Sequence, residues 1–96
     1  MVSLSGAAIL LVSCQTPGER VIARAQRLDT CGAKPLRPFV GRIADQPTRE
    51  AIRNSVPNAQ EMRWISPGDE ILADLNTGRI NILLNEAGTI QHIACY

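Results

Sequence analysis

Two of the three cysteines constrain the fold of this chain more than any other feature. Cys31 and Cys95 stand at the two ends of the last two thirds of a 96-residue chain. A bond between them closes a loop of roughly 65 residues and stabilises the fold by about 4 kcal/mol in the chain-entropy description. So small a unit buries little apolar surface and usually carries a cross-link. We therefore predict a Cys31–Cys95 disulfide and an oxidising compartment. The alternative is three unpaired, partly buried thiols in a cytosolic protein.

The composition of the chain excludes several classes of protein. Its length allows one domain at most, and its net charge of +1 gives no basic surface large enough to suggest nucleic-acid binding. The three aromatic residues, Phe39, Trp64 and Tyr96, are too few for a platform that stacks bases or sugars. No apolar stretch reaches the ~20 residues of a membrane-spanning helix. We expect a monomer with no nucleic-acid partner.

The first residues have the character of an export signal. Residues 1–13 contain a short apolar run, and small residues precede Cys14. The quartet Leu11-Val12-Ser13-Cys14 resembles the bacterial lipoprotein box, which implies that Cys14 is acylated, for example with palmitate, and becomes the first mature residue. The apolar run lacks a preceding Lys or Arg, which departs from that pattern. The alternatives are a simple cleaved signal and a disordered apolar terminus.

The expected anchor determines the expected location. Gln15 follows the cysteine in place of the Asp that retains lipoproteins at the inner membrane, so the resemblance implies an outer-membrane anchor facing the periplasm. Residues 14–30 are polar and mixed, and we predict a lipidated tether there, with a short helix over 19–28 as the alternative. Residues 31–96 then form the domain.

The domain has the pattern of one helix and a small mixed sheet, an α+β fold. Asp45 is a suitable N-cap for a helix over 45–55, which Pro57 brings to its end. Alternating apolar residues predict strands over 60–65, 78–85 and 89–95. The turn at 85–88 predicts antiparallel pairing of the last two strands.

The segment between the first two strands is long for so small a domain. It carries Ile71, Leu72 and Leu75, apolar residues that a loop in solvent usually lacks. An exposed loop with such side chains indicates a binding surface.

An ordered set of short motifs runs through residues 31–96 and resembles the bacterial and fungal elastase-inhibitor family of potato-inhibitor-I-like serine protease inhibitors. The motifs are Cys31, Phe39-Val40-Gly41-Arg42, Ser66-Pro67-Gly68-Asp69, Asp74, Arg79-Ile80-Asn81-Ile82, Asn85-Glu86-Ala87-Gly88-Thr89-Ile90 and Cys95. The resemblance implies a potato-inhibitor-I-like fold in which an exposed loop joins two parallel strands and enters a protease cleft as a substrate would.

By position in the family pattern, the targeted bond lies between Ala73 and Asp74. Ile71 and Leu72 fill the subsites before that bond, and Leu75 fills the subsite after it. The small side chain of Ala73 suits an elastase-like pocket, and subtilisin-like enzymes also fit.

The strand after the loop is expected to support it. The guanidinium of Arg79 can reach back to the carboxylate of Asp74, and Asn81 shares that face and can bond loop carbonyls. The alternative for Arg79 is a solvated strand charge.

The chain also departs from the family pattern. Leu72 stands where the family often has Thr, Asn76 replaces a basic residue, and Gly78 replaces Asp. The losses at Leu72 and Asn76 favour the rival hypothesis of a non-inhibitory envelope lipoprotein that acts as a protein-binding or structural module. The retained Asp74 and Arg79 oppose it.

The sequence does not predict an enzyme. His92 is the single histidine, and no catalytic triad, CxxC, HExxH or phosphate loop is present. The spacing of Asp69, Glu70 and Asp74 matches no EF-hand, so we expect neither a metal nor a cofactor.

Overall fold

The part of the chain that the structure describes contains two α-helices, one short 3-10 helix and three strands. The computed structural model describes residues 16–71 and 74–96. The elements, in chain order, are α1 (Pro17–Leu28), the 3-10 helix (Lys34–Phe39), α2 (Gln46–Ser55), β1 (Glu61–Ile65), β2 (Arg79–Leu84) and β3 (Ile90–Cys95). The predicted α+β class with a small mixed sheet is confirmed, with α1 and the 3-10 helix in addition to the single helix expected.

The sheet has the strand order β1-β2-β3, with β1 parallel to β2 and β2 antiparallel to β3. Its register places Met62 opposite Ile80 and Trp64 opposite Ile82. Because side chains alternate across a strand, these residues share one face, and the residues between them share the other. The apolar face packs into the hydrophobic core, in which Ile80 and Ile82 are completely buried.

Helix α2 follows the expected pattern closely. Asp45 is its N-cap, and the Asp45 carboxylate accepts a hydrogen bond from the Thr48 amide. Ile52 is completely buried in the core. The guanidinium of Arg49 lies over the ring of the half-buried Trp64, 4.4 Å from its centroid, in a cation–π contact.

Helix α1 is the main difference from the expected architecture. Of the two alternatives for residues 19–28, the structure shows the helix. Thr16 and Glu19 form a capping box in which each side chain bonds the other residue's backbone amide. The Gln26 side chain then bonds the Ile93 carbonyl and the Cys95 amide of β3, so the helix docks on that strand.

The predicted disulfide is present between Cys31 and Cys95, whose Cα atoms are 5.4 Å apart. It joins the segment after α1 to the end of β3 and is buried, with Cys95 only 1% exposed. Within residues 16–71 and 74–96, no helix has the length and apolar character needed to cross a membrane. The predicted signal over 1–13 and the predicted lipidation site Cys14 lie outside the described residues.

Candidate functional site

The segment between β1 and β2 joins two parallel strands, as the resemblance implied. It begins with a tight turn over residues 66–69. The Asp69 amide donates to the Ser66 carbonyl at 3.1 Å, and the Asp69 carboxylate accepts from the Ser66 amide at 2.8 Å. Gly68 has φ +87°, a left-handed conformation that glycine adopts without the strain a side chain brings. This turn fixes the direction in which the chain leaves β1.

The middle of the segment is exposed to solvent. Ile71 is 44% exposed and Leu75 is 48% exposed, although both are large apolar residues. The Asp74 side chain is 57% exposed. The remaining two predicted loop residues, Leu72 and Ala73, lie outside the described residues. The described part of the loop thus presents apolar side chains outward, as a binding surface does.

Arg79, at the start of β2, holds the loop from below. Its Nη2 donates to the Asp74 carbonyl at 2.8 Å, and its Nη1 lies 3.3 Å from the Asp74 carboxylate. Its Nε donates to the Tyr96 main-chain oxygen at 3.1 Å, and its Nη1 lies 3.6 Å from the Glu61 carboxylate. Since Arg79 is only 3% exposed, it is not the solvated strand charge of the alternative interpretation.

A second arginine joins the same polar face of the sheet. Arg63 lies opposite Asn81 in the parallel register, and its Nε donates to the Asn81 Oδ1 at 2.7 Å. Its Nη1 is 4.0 Å from the Asp74 carboxylate. The Arg63 Nη2 is buried and has no hydrogen-bond partner among the described residues. Arg63 therefore adds a second positive charge beneath the loop.

Asn81 contributes to this network in a way that the sequence did not indicate. Its amide nitrogen donates to the Tyr96 main-chain oxygen, and its amide oxygen accepts from Arg63. Among the described residues, which do not include Leu72 and Ala73, it bonds no loop carbonyl. Asn81 orients Arg63 and holds Tyr96, the residue that follows the disulfide-bonded Cys95.

The far end of the loop is also braced. The Asn76 side chain accepts from the Gly78 amide at 3.0 Å, and its carbonyl accepts from the Arg79 amide at 3.0 Å. The Thr30 hydroxyl donates to the Thr77 carbonyl at 2.6 Å, so the residue before Cys31 contacts the base of the loop. Asn76 closes a turn here, where the sequence alone suggested a lost support.

The charges of the network reinforce one another. The hydrogen bond from Arg79, helped by the charges of Arg79 and Arg63, holds the pKa of Asp74 below its usual range. Asp74, followed by Glu61, raises the pKa of Arg79. Both shifts favour the ionised forms, so the contact persists wherever the carboxylate is ionised.

The predicted and observed members of the site can now be compared. The structure brings together Asp74, Arg79 and Asn81 as the sequence suggested. It adds Arg63 and Tyr96, which the sequence analysis missed. The position of Arg63 between Met62 and Trp64 was an available signal, because alternation places it on the face opposite the core.

Comparisons with known proteins agree with this architecture. A solved structure described as the elastase inhibitor AFUEI matches with a TM-score of 0.54 and 22% sequence identity, over 71% of this chain and 97% of that one. That likeness concerns the fold. No curated protein matches the chain significantly.

The family comparison concerns function. The model of the peptidase inhibitor I78 family matches residues 31–96, the whole of the disulfide-closed part of the chain. The family description supports protease inhibition, with a protease as the partner. On this match, the chain belongs to the peptidase inhibitor I78 family.

Proposed function

We propose that the chain inhibits a serine protease of the elastase or subtilisin type, with residues 71–75 as a substrate-like loop. The targeted bond in this proposal lies between Ala73 and Asp74. The observation that carries it is the contact of the buried Arg79 with both the carbonyl and the carboxylate of Asp74, in a loop whose neighbouring apolar residues are exposed. Burying the Arg79 guanidinium beneath an exposed loop is expected if that loop must keep one conformation.

Stiffness explains how such a loop inhibits an enzyme that cleaves similar peptides. A flexible peptide loses conformational entropy when it binds, and a braced loop has already lost much of it. The supports described here act on both sides of the bond: the Ser66–Asp69 turn before it, and Arg79 with Asn76 after it. The bound loop therefore gains affinity that an unbraced peptide of the same sequence lacks.

The same supports also act against hydrolysis. After attack on the Ala73 carbonyl, the new amine belongs to Asp74, which remains attached to the scaffold through Arg79. The amine stays close to the acyl-enzyme, and proximity of this kind raises the effective concentration for religation. Religation then competes with attack by water, so the intact inhibitor is regenerated.

The proposed target class follows from the side chains of the loop. Ala73 carries a single methyl group, which fits a small apolar primary pocket and offers no charge to a trypsin-like pocket. Ile71 and Leu75 offer apolar contacts on either side. An elastase-like enzyme fits this pattern well, and a subtilisin-like enzyme with a broad apolar cleft also fits.

The direct test is a titration of an elastase, a subtilisin and a trypsin with the full chain and with Ala73→Lys. We expect the full chain to inhibit the first two enzymes and the variant to shift its preference toward trypsin. Ala87→Lys is the matched control, because it adds the same charge in the exposed turn between β2 and β3. Inhibition of the first two enzymes with an unchanged preference in the Ala73→Lys variant would refute the loop assignment.

A non-inhibitory envelope module remains the second candidate function, and it is favoured by the departure at Leu72 from the family pattern. It predicts that none of the three proteases loses activity at micromolar concentrations of the chain. The titration therefore decides between the two functions.

We further propose that Cys14 is acylated and anchors the protein in the cell envelope, with the domain in the periplasm. The proposal rests on the Leu11-Val12-Ser13-Cys14 quartet. Expression in a bacterium should give a membrane-bound protein whose mass includes lipid, and Cys14→Ser should release it. An unmodified Cys14 in the exported protein would contradict the proposal.

A further inference from the structure

Helix α1 has an exposed outer face on the side opposite its contact with β3. Its inner face packs on β3 through the buried Ala25 and through Gln26, which bonds two main-chain groups of that strand. Residues spaced by three, four and seven positions share one side of a helix. By this spacing the opposite side carries the following exposed residues: Arg20, Val21, Arg24, Arg27 and Leu28. Cations and exposed apolar side chains thus alternate on one surface.

The acidic side chains near this face accept hydrogen bonds from backbone amides. Glu19 closes the capping box with Thr16, and Asp29 accepts hydrogen bonds from the amides of Ala33 and Lys34. Arg24 and Arg27 have no ion-pair partner among the residues that the structure describes. Arg24 and Arg27 therefore give the outer face of α1 a positive charge.

Positive and negative charges are unevenly distributed along the chain, with the positive excess in the part that contains α1. Residues 16–53 carry eight basic and four acidic side chains, and residues 61–96 carry two basic and five acidic ones. The two basic residues of the second group are Arg63 and Arg79, and both donate hydrogen bonds in the network that supports the loop. The net charge of +1 is therefore the sum of a basic segment that contains the helices and an acidic segment that contains the strands and the loop.

The distance from Cys14 to this helix is short. Only two residues, Gln15 and Thr16, separate Cys14 from Pro17, the first residue of α1. Three peptide units span at most about 11 Å, whatever their conformation. A lipid on Cys14 would therefore hold α1 next to the bilayer, without the long tether that the sequence suggested.

We propose that the outer face of α1 binds an anionic phospholipid surface. Arg24 and Arg27 contact lipid phosphates, while Val21 and Leu28, 42% and 62% exposed, enter the headgroup region. This contact orients the domain with α1 and β3 toward the membrane. The loop joins β1 and β2, and β1 is the strand of the sheet farthest from β3. The proposal is independent of protease inhibition and of acylation, since it rests on the helix face itself.

The test measures co-sedimentation of the full chain carrying Cys14→Ser, which removes any lipid anchor, with phosphatidylcholine vesicles that contain or lack phosphatidylglycerol. We expect binding only to the anionic vesicles, with a loss as salt is raised. A basic side chain at such a surface contributes about fivefold to partitioning, so Arg24→Gln with Arg27→Gln should weaken binding about 25-fold. Both replacements keep good helix formers on an exposed surface, so the fold should be retained.

The matched control is Arg53→Gln, which removes one exposed cation from α2, a helix that does not contact α1. It should leave binding nearly unchanged. Equal binding to both kinds of vesicle, no binding, or a double variant that behaves like the control would overturn the proposal. If polyglutamate binds the chain and anionic vesicles do not, the face serves an acidic protein and the lipid assignment is wrong.

Discussion

Removal of the disulfide is the perturbation whose effect can be worked out most fully. Cys31 and Cys95 are 64 positions apart in the chain, and both are buried. Closing a loop of this length lowers the entropy of the unfolded chain enough to stabilise the native state by about 4 kcal/mol. Because small domains are stable by only about 5–15 kcal/mol, the double substitution Cys31→Ala with Cys95→Ala should remove a large share of the stability.

The same bond also links the chain end to the loop. Tyr96 follows Cys95, and its main-chain oxygen accepts hydrogen bonds from Arg79 and Asn81. Thr30 precedes Cys31 and bonds the Thr77 carbonyl. Without the disulfide both contacts lose their covalent support, so inhibition should weaken even at temperatures at which the variant remains folded.

Thermal and urea unfolding of the full chain and of the double variant provide the assay. A loss of about 4 kcal/mol corresponds to a decrease in Tm of roughly 15–30 °C for a domain of this size. Cys14→Ala is the control, because it removes a cysteine and keeps the disulfide. A loss below about 1 kcal/mol would refute the reasoning, since the bond would then not constrain the unfolded chain.

Three further predictions concern the core, the loop charge and the docking of α1. Ile52→Ala should lower the free energy of unfolding by about 2–5 kcal/mol in urea, because Ile52 is completely buried. The hydrogen bond from Arg79 lowers the pKa of Asp74, so their contact stabilises the fold above pH about 4. That stabilisation is lost as the pH falls through the lowered pKa. Asp74→Asn should therefore flatten the dependence of the free energy of unfolding on pH between pH 2 and 5. Gln26→Leu should cost about 1–3 kcal/mol for each β3 group left unpaired and should speed hydrogen exchange of the Cys95 amide.

The local patterns of the domain were sufficient to predict its strands and α2. The alternation of Ile80 and Ile82 with polar neighbours specified both the strand and the buried face. Asp45 and Pro57 marked the limits of α2 within one or two residues. Each of these signals acts over a few residues, so no knowledge of the rest of the fold was needed.

Helix α1 was harder to predict because its stability depends on a distant strand. Its sequence is rich in arginine and contains Gly18, which is unfavourable in a helix. The capping residues Thr16 and Glu19 were visible, but the docking through Gln26 to residues 93 and 95 was not. A polar segment beside an expected anchor was therefore interpreted as a tether.

The contacts that support the loop also differ in how far the sequence could predict them. The pairing of Arg79 with Asp74 spans five positions and could be expected from the family pattern. Arg63 reaches the same carboxylate only because β1 lies parallel to β2 in one particular register. Tyr96 enters the network because the preceding Cys95 is held opposite Ile80 by strand pairing and is bonded to Cys31. Such contacts depend on the assembled fold and carry little local signal.

The most direct test of the proposed inhibition is mass spectrometry of the chain after long incubation with the protease that it inhibits best. A substrate-like loop held by Arg79 predicts one cleavage, between Ala73 and Asp74, with cleaved and intact chains reaching a constant ratio. Inhibition without any cleavage there, or cleavage that spreads through the domain, would contradict the account.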